Sequence, residues 1–556
     1  METNLNVEQK SPPSTSKKAL LIGVLVAIVL VVGFGTAYAK LDLFKSTKSI
    51  YLEAEANNLK ELESSFDEMM SRYDADVKPY IDNPVHSTME LSNVSIDADI
   101  PDPQAMMVLD LLKQAKLQVD SQADQKKGVQ YSKLNLMLKD KDFLKAETLM
   151  EPTRISFLLP DFYKKYGVLD LNDREALDQK LGTSDLPKRF VTGPEYIEAV
   201  KVSKEDIMPI FQEYVKLYAD ALTDKQITVN KNATFERDGF KTSAQEITVT
   251  FSNEEMKTLL GKILDKALAD EKLFDLYFSR ADKVTKLLID SGAPDIEPLN
   301  REELKKEFTD SINEMKEALK DEEYDYGTKM IVFVDSEDKI LSRKLISTTP
   351  KDSGDVVEIA SWKNKDEENV YVKISGTDTA EDSGEIVYSY KATGTDAEKQ
   401  GNVSLSFNGE TNGEPEFKFD LTSKFSTSKA DNKETGKYDF TVNAEEAGTD
   451  PVKFSGTLDS TVTKADKKQD SDMAFKLTFE PTTPDMPRSL GFSMKSSTEI
   501  VGEVKLPSIT AENSVNLATA TDAEMNQIAE EAMPAVQQFM MNNMQLFQEL
   551  GVMPSM

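Results

Sequence analysis

Apolar positions recur along this chain at two spacings, and the alternation between them predicts its elements. Leu52, Leu59, Leu62, Phe66, Met69 and Tyr73 fall at helical intervals, predicting an amphipathic helix over Ser49–Tyr73 that Pro79 and Pro84 close. From His86 to about Leu169 the pattern mainly alternates, with Leu134/Leu136/Leu138 and Ile155/Phe157/Leu159 each on one strand face and a short helix at Met106–Leu112 between strands. Gly128, Pro152 and Gly167 punctuate these strands. From about Leu171 the helical period returns. Ser203 with Asp206, Ser252 with Glu255 and Asn300 with Glu303 open successive helices, with strands at Ile227–Phe235 and Ile247–Phe251. From Gly327 to about Leu506 apolar and polar residues alternate through strands separated by Gly/Asp/Lys/Asn-rich turns, the pattern of an antiparallel meander with one wet face. Thr521 and Glu524 cap a last, methionine-rich helix through Met525, Met533, Phe539 and Leu550, carrying Pro534 and closed by Gly551.

One run fits neither period. Ala19–Ala39 is uncharged throughout and as a helix is about 31 Å long, enough for the ~30 Å hydrocarbon core of a bilayer. Lys17 and Lys18 at its edge favour an inside N-terminus, so a transmembrane signal-anchor is expected, with the remainder outside. Ala37-Tyr38-Ala39 also has the small-x-small form of a signal-peptidase site, and cutting after Ala39 would release the same ectodomain. The expected organisation is a cytoplasmic disordered tail over 1–18, the span over 19–39 and a juxtamembrane amphipathic helix within 40–80. An α+β domain over 81–325, a β-meander over 326–515 that is a separate domain or a continuation of the same sheet, and a helix over 521–550 follow.

Composition narrows the chemistry. The 556 residues carry 66 Lys+Arg against 98 Asp+Glu, a formal net charge of −32, which disfavours nucleic acid. Without cysteine there is no disulfide, thiolate metal site, thiol nucleophile or acylated anchor. A single histidine, His86, excludes two-histidine sites, and it has no clear acidic or nucleophilic partner nearby in sequence. Asp97, Asp99 and Asp102, and Asp335, Glu337 and Asp338, lack the calcium-loop pattern and read as turn acids. No phosphate-binding glycine loop or basic-aromatic patch occurs. Trp362, the single tryptophan, reads as strand packing. No catalytic residue, cofactor or metal site is expected.

The strands LNLMLKD, FLKAETLM and RISFLLPDFYKKYG, followed by helices and then MIVFVDSEDKILSRKLIST, resemble the bacterial lipoprotein-carrier (LolA/LppX-like) half-barrel over residues 80–350. The whole chain is also similar to uncharacterised single-pass surface proteins of Gram-positive bacteria. The carrier resemblance implies a curved sheet and helices around an apolar cavity for acyl chains.

The expected fold is thus α+β: an N-terminal transmembrane helix, then an antiparallel, half-barrel-like ectodomain with helices packed on its concave face. The expected function is non-enzymatic binding of an apolar or amphipathic ligand at the cell envelope, with Leu136, Phe157, Leu159 and Phe211 on the cavity face. The expected partners are the cytoplasmic membrane through one helix, a lipid or amphiphile, and an envelope protein. A structural envelope protein that binds a protein partner and a carboxylate-dependent cell-wall glycan hydrolase are the alternatives.

Overall fold

The computed structural model describes residues 46–98, 103–182, 186–320, 326–348, 356–377, 382–480 and 487–549. The expected span Ala19–Ala39, and with it Asp99, Asp102 and Gly551, lies outside the described residues. Among those described, no helix is long and apolar enough to cross a membrane, which says nothing of strands.

Among the described residues every strand joins one 20-stranded sheet. The strands are β1 Val85–Ala98, β2 Ala115–Asp124, β3 Val129–Leu138, β4 Lys141–Glu151, β5 Arg154–Leu158, β6 Tyr166–Asp170, β7 Ile227–Arg237, β8 Phe240–Phe251, β9 Thr328–Val334 and β10 Ile340–Ser347. They continue as β11 Val356–Asn364, β12 Glu367–Thr377, β13 Ser383–Gly394, β14 Glu398–Thr411, β15 Glu414–Ala430, β16 Lys433–Glu446, β17 Val452–Ala465, β18 Lys468–Phe479, β19 Pro487–Ile500 and β20 Ser514–Asn516. From β7 to β19 each strand pairs antiparallel with the next. β19 then pairs with β1, which brings Val85 opposite Ile500, and the order continues β1-β2-β3-β4-β5-β6 before β20 closes in parallel on β6. Among the described residues β7 and β20 do not pair, so the sheet is open with two edges. The β7 edge is broken by an irregularity at Asn230/Ala233, a feature that discourages another chain from adding there.

This order corrects the half-barrel reading. Its two signature regions, β3–β5 and β9–β10, stand far apart, with β11–β19, β1 and β2 between them. The local strand patterns are present; the pairing that would join them into one half-barrel is not.

The main helical layer covers the β7–β10 end of the sheet, and at the other end Phe539 of the helix Asp522–Asn542 packs on Phe143 of β4. Met256, Leu259, Leu260 and Leu264 repeat along one face of α7 (Asn253–Ala269), and Ser252 caps it with Glu255 in a reciprocal capping box. With α6 (Lys204–Ala221) and α9 (Arg301–Ala318), this helix buries Ile247, Val249, Val332 and Val334 of β8 and β9. The first turns of α1 (Thr47–Asp76) join the same core through Tyr51, Leu52 and Ala54. A smaller core on the opposite sheet face gathers Phe235, Leu341, Ala360 and Trp362. Trp362 packs its ring 6.1 Å from Phe235, and the Arg237 guanidinium lies 3.6 Å from the centre of the Tyr371 ring. The sheet from β12 to β19 therefore lies outside the main helical core, and the expectation of helices lining a whole concave face is corrected.

Candidate functional site

Strand alternation and register place apolar residues of successive strands side by side. Val372, Tyr388, Leu405, Leu421, Val442 and Phe454 are direct cross-strand partners from β12 to β17. Met473, Met494, Leu91, Leu117, Leu136 and Leu144 continue in the same way from β18 through β19 and β1 to β4. Between these rows Leu458, Phe475 and Phe492 are also partners. An unbroken apolar floor thus crosses the sheet from β12 to β4.

Most of this floor is half-buried, with Ile386 at 38 % and Phe417 at 43 % exposed. Its opposite face carries exposed Thr422, Lys424, Asp439, Asp472 and Lys476. Around β13–β18 the sheet is a single layer, apolar on one side and polar on the other. A continuous apolar surface of this extent is uncommon on a monomeric protein and marks a place of contact.

Glycines keep the floor low. Phe440 and Phe475 stack at 6.3 Å and 22° across Gly456, and Tyr390 and Phe425 stack at 5.9 Å and 17° across Gly401. The Tyr438 ring covers Gly436. Absent Cβ atoms let aromatic rings from neighbouring positions lie down on the backbone instead of standing up from it.

Helix α1 is tied to the sheet at two points and forms a strap. Glu55, 1 % exposed, meets the Arg343 guanidinium of β10, while Asp76 at the far end accepts from Lys464 of β17 at 3.0 Å. These anchor points are about 31 Å apart along the helix. Both partners lie on the apolar face, Arg343 in register with Ile359 and Val372, and Lys464 alternating with Leu458 and Val462. The second half of α1 is largely exposed, with Phe66 at 41 % and Met69 at 57 %. Burial raises the Glu55 carboxyl above its ordinary value, the Arg343 charge offsetting only part of that effect.

The polar face carries two open basins. One of about 780 Å³ is lined by Glu90, Asp120, Lys133, Lys145, Asp472 and Lys495, and another of about 900 Å³ by Lys391, Asn402, Lys424, Asp439, Thr441 and Lys476. At the rim of the first, the Tyr131 and Tyr166 hydroxyls both donate to Glu147 Oε2, at 2.6 and 2.7 Å. Burial and the Glu147 carboxylate push the Tyr166 hydroxyl up to about 12. His86 Nε2 lies 3.2 Å from both Asp120 carboxylate oxygens, a partner supplied by β2 that sequence proximity did not reveal. Asp335 Oδ1 accepts from the backbone N–H of Glu337 and Lys339, a turn-closing role.

The four residues expected around one cavity are distributed over the fold. Leu136 and Phe157 lie on the floor face of β3 and β5, Phe157 being 39 % exposed. Leu159, equally exposed, follows the end of β5, and half-buried Phe211 sits on α6 in the helical layer. None of them lines either basin.

No protein-family model matches this chain, and no curated protein matches it. Among solved structures, the outer-membrane protein OmpT of Vibrio cholerae shares 6 % identity, covering 75 % of this chain and 96 % of its own at a TM-score of 0.21. An anion-selective porin from Comamonas acidovorans shares 7 %, covering 75 % and 97 % at 0.22, and the outer membrane protein opdK from Pseudomonas aeruginosa shares 6 %, covering 75 % and 98 % at 0.22. Likeness at that level carries no argument about closure or activity. Both resemblances are corrected by the sheet itself: the described residues form one 20-stranded sheet, in which the two strand groups of the carrier-like region stand apart. The single-pass cell-membrane placement, the partnership with a membrane through one helix, and the envelope-anchored ligand-binding function with its alternatives are corrected likewise: the described residues build one large sheet in place of a helix-anchored α+β ectodomain, and no helix among them is long and apolar enough to cross a membrane.

Proposed function

We propose that this protein is a non-enzymatic transporter that passes hydrophobic solutes along the open apolar floor of its sheet. The observation that carries this reading is the unbroken register of half-buried apolar residues from β12 to β4. A hydrocarbon chain on such a floor leaves water at about 0.8 kcal/mol per buried CH₂ group. Each strand offers a similar lining, so a chain displaced by one strand spacing of roughly 4.8 Å exchanges one set of contacts for another of the same kind. A floor kept low by glycine-backed rings holds a solute without trapping it, and the polar face keeps the sheet in water.

The test is transfer of a fluorescent lipid between donor and acceptor vesicles in the presence of the full chain. Transfer above the protein-free rate is expected, with loss on Leu405→Asp and Leu421→Asp, which place charge in the floor. Retention of full transfer by both variants, or transfer no faster than without protein, overturns the reading.

A further inference from the structure

We infer, resting on the transport reading above, that the solute is an amphiphile with one electrically neutral head, lying along the strands with its head at one margin of the floor and its tail toward the other. The two margins differ. At one, Leu345, Val357, Ile374, Ile386, Phe407 and Phe419 are successive cross-strand partners from β10 to β15. Phe417 and Val452 lie nearer still to the strand ends, 43 % and 52 % exposed. At the opposite margin the same face turns polar. Lys464, Gln469, Thr498, Ser87, Ser121 and Ser132 are successive partners from β17 to β3, and Thr148 follows on β4. Glu434, its partner Lys429, and Lys399 extend this row through β16 and β15 to β14. A polar rail therefore borders the floor from β14 to β4. Between the margins, apolar positions run about 27 Å along β15, from Phe417 to Phe425 with Ser423 among them, and about 14 Å along β3, from Leu134 to Leu138. The tails of one bilayer leaflet span about 15 Å, half of the ~30 Å hydrocarbon core. A tail laid along the strands thus matches the floor with its head on the rail. Laid across the strands, the same solute would bring its head among Leu and Phe side chains, an unpaired polar group in apolar surroundings.

The rail also sets the head's charge. Its lysines are already matched: Lys399 pairs with Glu368 at 2.8 Å, Lys429 with Glu434 at 3.0 Å and Lys464 with Asp76 at 3.0 Å. From β18 to β4 the rail carries no charge, only Gln469 and hydroxyls. These hydroxyls bond in pairs, Ser87 with Thr498 and Ser121 with Ser132, each at 3.0 Å. An ionic head passing along the rail gives up water and meets no unpaired counter-charge. A head that donates and accepts hydrogen bonds finds both roles there, because a bonded pair of hydroxyls keeps one donor and several lone pairs free. The net charge of −32 opposes an anionic head further.

The experiment compares three pyrene-labelled probes: phosphatidylethanolamine, whose neutral head donates and accepts, phosphatidylglycerol with the same tails, and an alkane without a head. Vesicle-to-vesicle transfer of each is measured above its protein-free rate with the full chain. Phosphatidylethanolamine is expected to move faster than phosphatidylglycerol. Ser121→Ala/Ser132→Ala removes both members of one bonded pair, and Gln130, which donates to both, is exposed and turns to water. That variant is expected to slow phosphatidylethanolamine about fivefold, the worth of one hydrogen bond, and to leave the alkane within about twofold. Orientation is read on the unaltered protein with phosphatidylethanolamine carrying a diazirine either at the tail end or on the head. The tail-end probe is expected to label Phe407 and Phe419, and the head probe Gln469 and Thr498. Labelling of both margins alike by either diazirine, phosphatidylglycerol moving as fast as phosphatidylethanolamine, or a double variant that does not separate phosphatidylethanolamine from the alkane overturns the inference. Absence of transfer of every probe by the unaltered protein instead removes the transport reading, so the two failures are distinguishable.

Discussion

Replacing Arg343 by methionine is expected to destabilise the protein severely and specifically at the α1 strap. Glu55 is 1 % exposed and the Arg343 side chain 8 %, and the two meet between α1 and β10 beside the Tyr51–Tyr218 hydroxyl contact at 3.3 Å. Removing one member of a buried ion pair leaves the other charge uncompensated, a loss of about 3–5 kcal/mol. Replacing both by apolar groups removes the desolvation cost together with the attraction, so Glu55→Leu/Arg343→Met is expected to recover most of that loss. The pH dependence has a definite sign. The folded Glu55 carboxyl lies above its ordinary 4.5, so its contribution favours the fold below the unfolded value and is lost as pH rises through the folded value. Without Arg343 that value rises further, and the deficit of Arg343→Met should shrink as the medium is acidified. Urea unfolding followed by the emission of Trp362, on the neighbouring strand β11 and the single tryptophan in the chain, measures both effects. A deficit below about 1 kcal/mol, or a double variant no more stable than Arg343→Met, refutes the reasoning.

The Tyr166 hydroxyl, raised to about 12 by burial and the Glu147 carboxylate, contributes stability that is complete below its ordinary 10 and lost as pH rises through about 12. The tyrosinate absorbance of Tyr166→Phe, subtracted from that of the unaltered protein, should show this residue titrating near 12; titration near 10 refutes the assignment. Lys464→Ala should leave global stability within about 1 kcal/mol, because its pair with Asp76 is part-exposed, while accelerating hydrogen exchange over residues 63–76 of α1. Unchanged exchange there would show that the pair does not hold the strap. Ser252→Ala, which removes the capping bond to the Glu255 backbone N–H, should cost about 1 kcal/mol, measurable by chemical denaturation; no loss would mean that tertiary packing alone sets the start of α7.

Local features were legible in the sequence because their signals lie within a few residues of one another. Capping boxes at Ser203/Asp206, Ser252/Glu255 and Thr521/Glu524 open helices in the fold, and the helix expected over Ser49–Tyr73 runs Thr47–Asp76. Alternation marked the floor residues strand by strand. It carried no record of which strands are neighbours: the return of β1 to β19 joins Val85 to Ile500, and hydrogen-bonded backbones leave no side-chain signature of their partner. The half-barrel reading failed for that reason, since correct strands were assigned an incorrect neighbourhood. The site residues divided along the same line. Leu136 and Phe157 share a sheet face through the register of β3, β4 and β5, whereas Phe211, grouped with them by the carrier resemblance, belongs to the helical layer. Glu55 and Arg343 are separated by 288 positions, and only the fold identifies them as partners.

Photocrosslinking along the sheet tests the transport floor most directly. A benzophenone side chain placed singly at Val372, Leu421 or Leu136 samples the floor from β12 to β3, and one at Thr422 or Lys424 samples the polar face. With a radiolabelled two-chain phospholipid, adducts are predicted at all three floor positions and at neither polar-face position. Labelling confined to a single floor position, or equal labelling of the two faces, would contradict a continuous apolar track.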